Sequence, residues 1–157
     1  LTDVVIVSFH GGAEGASKTH VTKKTEYFYG ENRGNVHLFS HAVIDAGADI
    51  VFGHGPHVTR TIELYKNRLI CYSLGNFCTY GRFNLKGLSG VGPIIEVSIK
   101  KDGSFVEGNI ISTKQIGKGI PLIDETDKAL KEIKRLLASD FPNNNIEFEG
   151  SKFKMKK

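Results

Sequence analysis

The chain lacks most of the signatures that disclose a chemistry outright. It holds two cysteines in 157 residues, Cys71 and Cys78. Their spacing fits neither a C-x-x-C redox pair nor a zinc motif, so each reads as a small apolar residue and the redox compartment stays open. No apolar run approaches the roughly 18 residues that span a bilayer as a helix. No basic start followed by an apolar stretch and a small-residue cleavage site is present. The chain opens on Leu1, enters Val4-Val5-Ile6-Val7 almost at once, and so reads as truncated or processed. The phosphate loop Gly-x-x-x-x-Gly-Lys-Ser/Thr and the dinucleotide fingerprint Gly-x-Gly-x-x-Gly are missing, which argues against nucleotide cradling. Neither Ser8 nor Ser73 stands in a Gly-x-Ser-x-Gly elbow, and Cys71 falls within a β-rich run with no base beside it.

What remains is an ordinary globular composition, 39% hydrophobic and 24% charged. The length fits one domain able to fold around its own core. The net charge of +4 is dispersed apart from Lys152, Lys154, Lys156 and Lys157. That cluster reads as a solvated tail, and no nucleic-acid partner is expected.

Hydrophobic periodicity organises the chain. Asp3 to Phe9 is a continuous apolar run ending in His10-Gly11-Gly12, as expected of a central strand buried on both faces. Residues 13–34 form a long polar loop, functional or mobile by its length. Asn35 and Gly47 bracket Val36, Phe39, Ala42, Val43 and Ala46 at helical spacing. A short strand, Asp49 to Gly53, follows. Strand, loop, helix and strand together predict a right-handed β-α-β unit with parallel strands. Thr61 to Lys66 and Leu69 to Leu74, joined at Asn67-Arg68, read as a hairpin. Pro93 to Lys101 and Ser104 to Thr113 read as another around Asp102-Gly103. Asp124 to Ala138 carries the apolar stripe of Leu130, Ile133, Leu136 and Leu137. The segment from Asp140 onward reads as a loose tail.

Three loops follow three apolar strands: His10-Gly11-Gly12-Ala13-Glu14, His54-Gly55-Pro56-His57 and Gly75-Asn76-Phe77. In open α/β sheets ligands sit at the carboxyl ends of parallel strands, so His10 and His54 are expected on one edge. Imidazoles suit Zn, Fe, Cu and Ni, and Glu14 can add a harder ligand or orient a histidine. Each histidine also has a plain structural alternative, as a donor that ties down its own loop. His37 and His41 stand four apart, a spacing that zinc helices use, but without the Glu of H-E-x-x-H. They read as solvent-side or helix-packing residues, and His20 has no assigned role.

In combination, Val7 to Glu14, Ile44 to Val58 and Tyr72 to Phe77 resemble the bacterial capsule-synthesis (CapA) family linked to poly-gamma-glutamate production, itself similar to calcineurin-like metallophosphoesterases. The resemblance implies an α/β, layered, metallophosphoesterase-like half-domain: a mixed sheet with a β-α-β unit, then hairpins and a C-terminal helix. Residues 1–139 would be the C-terminal portion of that domain and 140–157 a polar, basic tail. It further implies His10 and His57 as catalytic, with His10, His54 and His57 as ligands to divalent Mn, Fe or Zn. Glu14 and Asn76 would line the substrate pocket. The substrate would be an anionic polymer or a small phosphorylated or glutamyl compound, the compartment the cell envelope, and the exposed sheet edge a route to homo-oligomers. Two positions depart from the family pattern: Gly11 stands where an aromatic is common, and Gly55 where the first histidine of the loop is common. The early Asp, Gly-Asp and Gly-Asn motifs have no counterpart, so hydrolase activity is expected only with an upstream half of the domain. The alternative is a non-catalytic binding or assembly module for an anionic polymer or partner subunit.

Overall fold

The structure is a computed structural model that describes residues 3–81 and 83–156; Leu1 and Lys157, which figure in the sequence reading, lie outside them. In chain order the elements begin with β1 (Ile6–His10), the small hairpin β2 (Tyr27–Phe28) and β3 (Glu31–Asn32), α1 (Val36–Asp45), β4 (Ile50–His54), β5 (Ile62–Tyr65) and β6 (Arg68–Cys71). A short 3-10 turn at Gly87–Gly90 leads to β7 (Val91–Ile99), β8 (Phe105–Ile116), β9 (Ile120–Ile123), α2 (Lys128–Asp140), β10 (Ile146–Glu149) and β11 (Lys152–Met155). The fold is mixed α/β.

The first sheet has the order β1-β4-β6-β5. β1 runs parallel to β4 in a register that sets Phe9 against Gly53 and His10 against His54. The expected β-α-β unit is therefore present, and it delivers both strand-end histidines to one edge. β1 is not central, however. Among the described residues it pairs only with β4, and Ile6 is 55% exposed. A continuous apolar run records that a strand is apolar, not how many neighbours it has.

α1 is bounded as its sequence signals require. The Asn35 side chain accepts from Leu38 N at 3.0 Å, and Gly47 takes φ +109° just past the end. Its buried face is Val36, Ser40 and Ile44 rather than the expected stripe, since Phe39 is half-exposed and Ala42 and Ala46 are exposed. The β5–β6 turn is centred on Lys66 and Asn67, one residue earlier than expected; both have positive φ, as the two-residue turn that matches strand twist demands.

The second sheet, β10-β11-β8-β7 with β9 also on β8, is antiparallel. The β7–β8 turn at Asp102-Gly103 docks on the amino end of the first sheet. A Cβ on Gly103 would lie 1.7 Å from Asp49 Oδ1, so only glycine allows the approach. Asp49 in turn accepts from Val5 N at 2.9 Å and pairs with Arg68 Nε at 3.1 Å. The amino end of the sheet is thus locked, and its carboxyl end carries the loops.

α2 starts four residues later than expected, because Asp124 caps it from a distance, accepting from Thr126 and, at 3.2 Å, from Lys128 N. Leu130, Ile133, Leu136 and Leu137 are buried as the stripe predicts, and α2 packs on β5, β7 and β8. The segment after Asp140 is not a loose tail. β10 and β11 pair with each other and extend the second sheet, and Phe153, 1% exposed, lies over Gly108, which has no side chain in its way. Lysines alternating with Phe153 and Met155 are a half-buried strand, which a count of basic residues conceals. Lys152 and Lys154 do stay on the solvent side.

Candidate functional site

The first two loops touch through their backbones. Gly11 N donates to His54 O at 2.9 Å and Gly15 N to Pro56 O at 3.1 Å. Gly55 has φ +127°, and a Cβ there would sit 2.3 Å from Gly11 O. Two chains can approach this closely only where side chains are missing. The result brings His10 and His57 to a ring-centroid separation of 6.4 Å.

The third loop orients His57. Asn76, 4% exposed, donates its amide to His57 O at 3.1 Å and to Ser89 O at 2.9 Å, which fixes Oδ1 as the acceptor end. Oδ1 lies 2.8 Å from His57 Nδ1. An amide oxygen can only accept, so neutral His57 carries its proton on Nδ1 and leaves a lone pair on Nε2. Nε2 lies 3.7 Å from Glu14 Oε2, which pairs with the ring once Nε2 takes a proton, while Glu14 Oε1 is held by Arg33 at 3.0 Å. His57 has φ +59°, a left-handed conformation that costs a non-glycine residue about 1–3 kcal/mol and persists only when the surroundings impose it. His54 is half-buried, and desolvation holds its pKa below 6.5; the neighbouring His10 pushes the same way, against a backbone hydrogen bond at Gly75.

All five residues singled out from the sequence therefore sit at this edge, His10 and His54 at the ends of β1 and β4 and Glu14, His57 and Asn76 in the loops that follow. Sequence reasoning missed what holds them there. Arg60 is 1% exposed and forks onto Glu26 with hydrogen bonds of 2.9 and 2.7 Å, and donates through Nε to Lys18 O at 2.8 Å. Glu26 also accepts from Ala13 N at 2.8 Å. This buried pair, together with Val21 N donating to Asp140 at 2.9 Å, pins the segment that length alone marked as a long functional or mobile loop. A signal was present: Arg60 stands between Val58 and Ile62 in a run that is buried throughout, and a charge in such a run needs a partner.

Beside His10 lies a cavity of about 190 Å³ lined by Phe9, His10, Gly11, Arg33, Val36 and Phe39. Gly11, one of the two positions that depart from the family pattern, is part of its lining. The serine and cysteine nucleophiles remain unsupported. Ser73 donates to Val58 O at 2.8 Å, and burial pushes the Cys71 thiol up to about 12.

The donor chemistry of His57 suits a metal, because ligating histidines characteristically give their other ring N–H to a fixed acceptor. The spacing of the set does not close around one. Among the described residues, the one group of three His, Cys, Asp or Glu ligands with donor atoms within 4.8 Å of one another is His37, His41 and Glu63, away from these loops.

Residues 1–80 match the family model described as bacterial capsule synthesis protein PGA_cap. The chain belongs to this family. Over 75 residues it is 37% identical to the capsule biosynthesis protein CapA of Bacillus anthracis, covering 48% of this chain and 15% of that protein. It is equally similar, at 37% over 75 residues, to the PGA biosynthesis protein CapA of Bacillus subtilis strain 168, covering 48% of this chain and 16% of that protein. A probable polyglutamine synthesis accessory protein of Mycobacterium tuberculosis is 36% identical over 74 residues, covering 47% of this chain and 16% of that protein. The chain therefore spans less than a fifth of the length of these relatives by matched residues. The family segment contains all three loops, whereas the second sheet and α2 lie beyond it.

Proposed function

We propose that the chain forms the histidine-bearing wall of a site in a capsule or poly-gamma-glutamate biosynthesis protein of the cell envelope. The wall holds an anionic glutamyl or phosphoryl group at the strand-end edge. The observation that carries this reading is the pair Asn76–His57: a left-handed histidine with a fixed tautomer is an expensive way to build a turn and a good way to aim a lone pair. Neutral Nε2 can take a proton or ligate an ion, and burial disfavours a charge on His54 at the same edge. His10 completes the edge, and Arg33 keeps Glu14 turned towards His57. Family membership and the named roles of the Bacillus relatives support the biosynthetic setting.

In the same reading the site is metallophosphatase-like, within a layered fold of that type. A divalent Mn, Fe or Zn ion, if bound, would polarise the bond to be cleaved. His10, His54 and His57 are too few and too spread to hold it alone, so further ligands come from the longer protein. The β1 edge, with Ile6 exposed, is the place where a second copy of the chain adds a strand. A second reading, non-catalytic binding of an anionic polymer or partner subunit, is favoured by that same spread of the donor atoms.

The test is His57→Ala and Asn76→Ala in the longer protein that carries this segment, scored for polymer production in the cell and for phosphoester and amide hydrolysis by the purified protein. The hydrolase reading expects both variants to lose production and turnover together. Loss of production with polymer affinity reduced, and no hydrolysis by the wild type, favours the binding module. Full production by both variants contradicts any role for this edge.

A further inference from the structure

The helix histidines set aside from the sequence occupy a more convergent arrangement than the strand-end ones. His37 and His41 lie on one face of α1 with ring centroids 4.0 Å apart, and β5 brings Glu63 against them. His41 Nε2 is 2.9 Å from Glu63 Oε2. The donor atoms of all three lie within 4.8 Å of one another. Each is half-buried and reachable from solvent, with 20% of the His41 and 15% of the Glu63 side chain exposed.

The surroundings are those of a supported set. The buried Tyr72 hydroxyl donates to the same Glu63 oxygen that His41 meets, which leaves Oε1 without that engagement. His41 stacks on Tyr65 at 3.7 Å, and His37 lies parallel to Tyr72 and to Phe141 at 6.2 and 6.0 Å. These aromatic walls fix the ring planes. One cation is close by: Lys23 Nζ lies 4.6 Å from the Phe141 ring centre and weighs against a further positive charge. Glu63 supplies the opposing one.

We propose that His37, His41 and Glu63 form a transition-metal site, with zinc as the best-matched ion, separate from the strand-end histidines. Two imidazoles and a carboxylate are a recurrent zinc set that keeps its fourth position for water. Ligand atoms on a tetrahedral zinc sit about 3.3 Å apart with bonds near 2.0 Å, close to the present His41–Glu63 distance, and the His37 donor lies within 4.8 Å of both. On binding, zinc takes the Nε2 lone pair of His41, whose Nε2 proton passes to water while Nδ1 takes one up, and Tyr72 orients the ligating carboxylate as outer partners do. The ion links α1 to β5 and so raises the thermal midpoint as its concentration rises.

The experiment is calorimetric titration of zinc into the metal-free 157-residue chain, comparing wild type, His37→Gln, Glu63→Gln, and the combined variant His10→Ala, His54→Ala, His57→Ala. Glu63→Gln keeps an acceptor for Tyr72 and so preserves the packing. The expected result is that both single variants weaken zinc binding by about tenfold or more, while the combined variant keeps one zinc event. Unchanged affinity in both single variants, or loss of the event in the combined one, overturns the proposal. A wild-type measurement guards against misfolding: one equivalent of zinc should shift the ring nitrogens of His37 and His41 in long-range nitrogen–proton spectra, and shifts confined to His10, His54 and His57 overturn it.

Discussion

The two histidine clusters divide along an instructive line. The strand-end cluster comes from three separate loops that two glycines press together, and its donor atoms stay too spread to enclose an ion. The helix cluster comes from one turn of α1 and a facing strand, and its donors converge. A motif identifies a family; convergence depends on what lies opposite in space. The loop cluster is held by backbone contact, a buried ion pair and a histidine in the left-handed region. The helix cluster is held by aromatic walls and a tyrosine, devices that complete a set from within.

The comparison is broken most severely through the support of the loop cluster. Arg60→Ala leaves Glu26 buried without its partner, and removing one member of such a pair costs about 3–5 kcal/mol. Urea unfolding should show this loss, and zinc affinity at the helix cluster should be retained wherever the variant stays folded. A cost like that of an exposed charge would mean that the pair does not organise these loops. Gly55→Ala is next. It imposes a side chain on a backbone contact of 2.3 Å and on φ +127°, so about 1–3 kcal/mol of strain is expected. A crystal structure or amide spectra of this variant should show the His10 and His54 loops moved apart while α1 keeps its place.

Acid separates the clusters less. Burial lowers the pKa of His54 and of His37 below 6.5, with like-charged neighbours, His10 and His41 respectively, adding to the effect. The unfolded chain then binds more protons than the folded chain as pH falls through 6.5, so stability drops there and levels off below the folded-state values. Metal-free wild type should be less stable to urea at about pH 5 than at about pH 7.5. His54→Gln and His37→Gln should each flatten part of that dependence, and an unchanged slope in both would show that neither histidine is buried as neutral. The smallest effect is expected on α1 itself. Ser40 is wholly buried, and its hydroxyl has no hydrogen-bond partner among the described residues, so Ser40→Ala should raise stability by up to about 1 kcal/mol in thermal unfolding. Zinc affinity should not move with it.

The β-α-β unit, the caps of α1, the Asp102-Gly103 hairpin and the stripe of α2 were legible because each rests on local periodicity or on one residue's conformational preference. The three-loop edge was legible from order alone, once β1 and β4 were taken as parallel. What escaped was set by long-range pairing. Nothing within Asp3 to Phe9 records that β1 has a single neighbour. Nothing near Lys152 records that Gly108, far back in the chain, makes room for Phe153. Glu26 is 34 residues from Arg60, and Glu63 is 22 residues from His41. The helix histidines were therefore set aside for want of an adjacent glutamate that the fold supplies from another strand.

Asn76 fixes His57 so that Nε2 presents a lone pair at the strand-end edge. Long-range nitrogen–proton spectra of the metal-free chain at a pH where His57 is neutral read the tautomer directly. The expected result is the proton on Nδ1 and a bare Nε2, with a mixture of tautomers in Asn76→Ala. A proton on Nε2 of His57 in the wild type would contradict it.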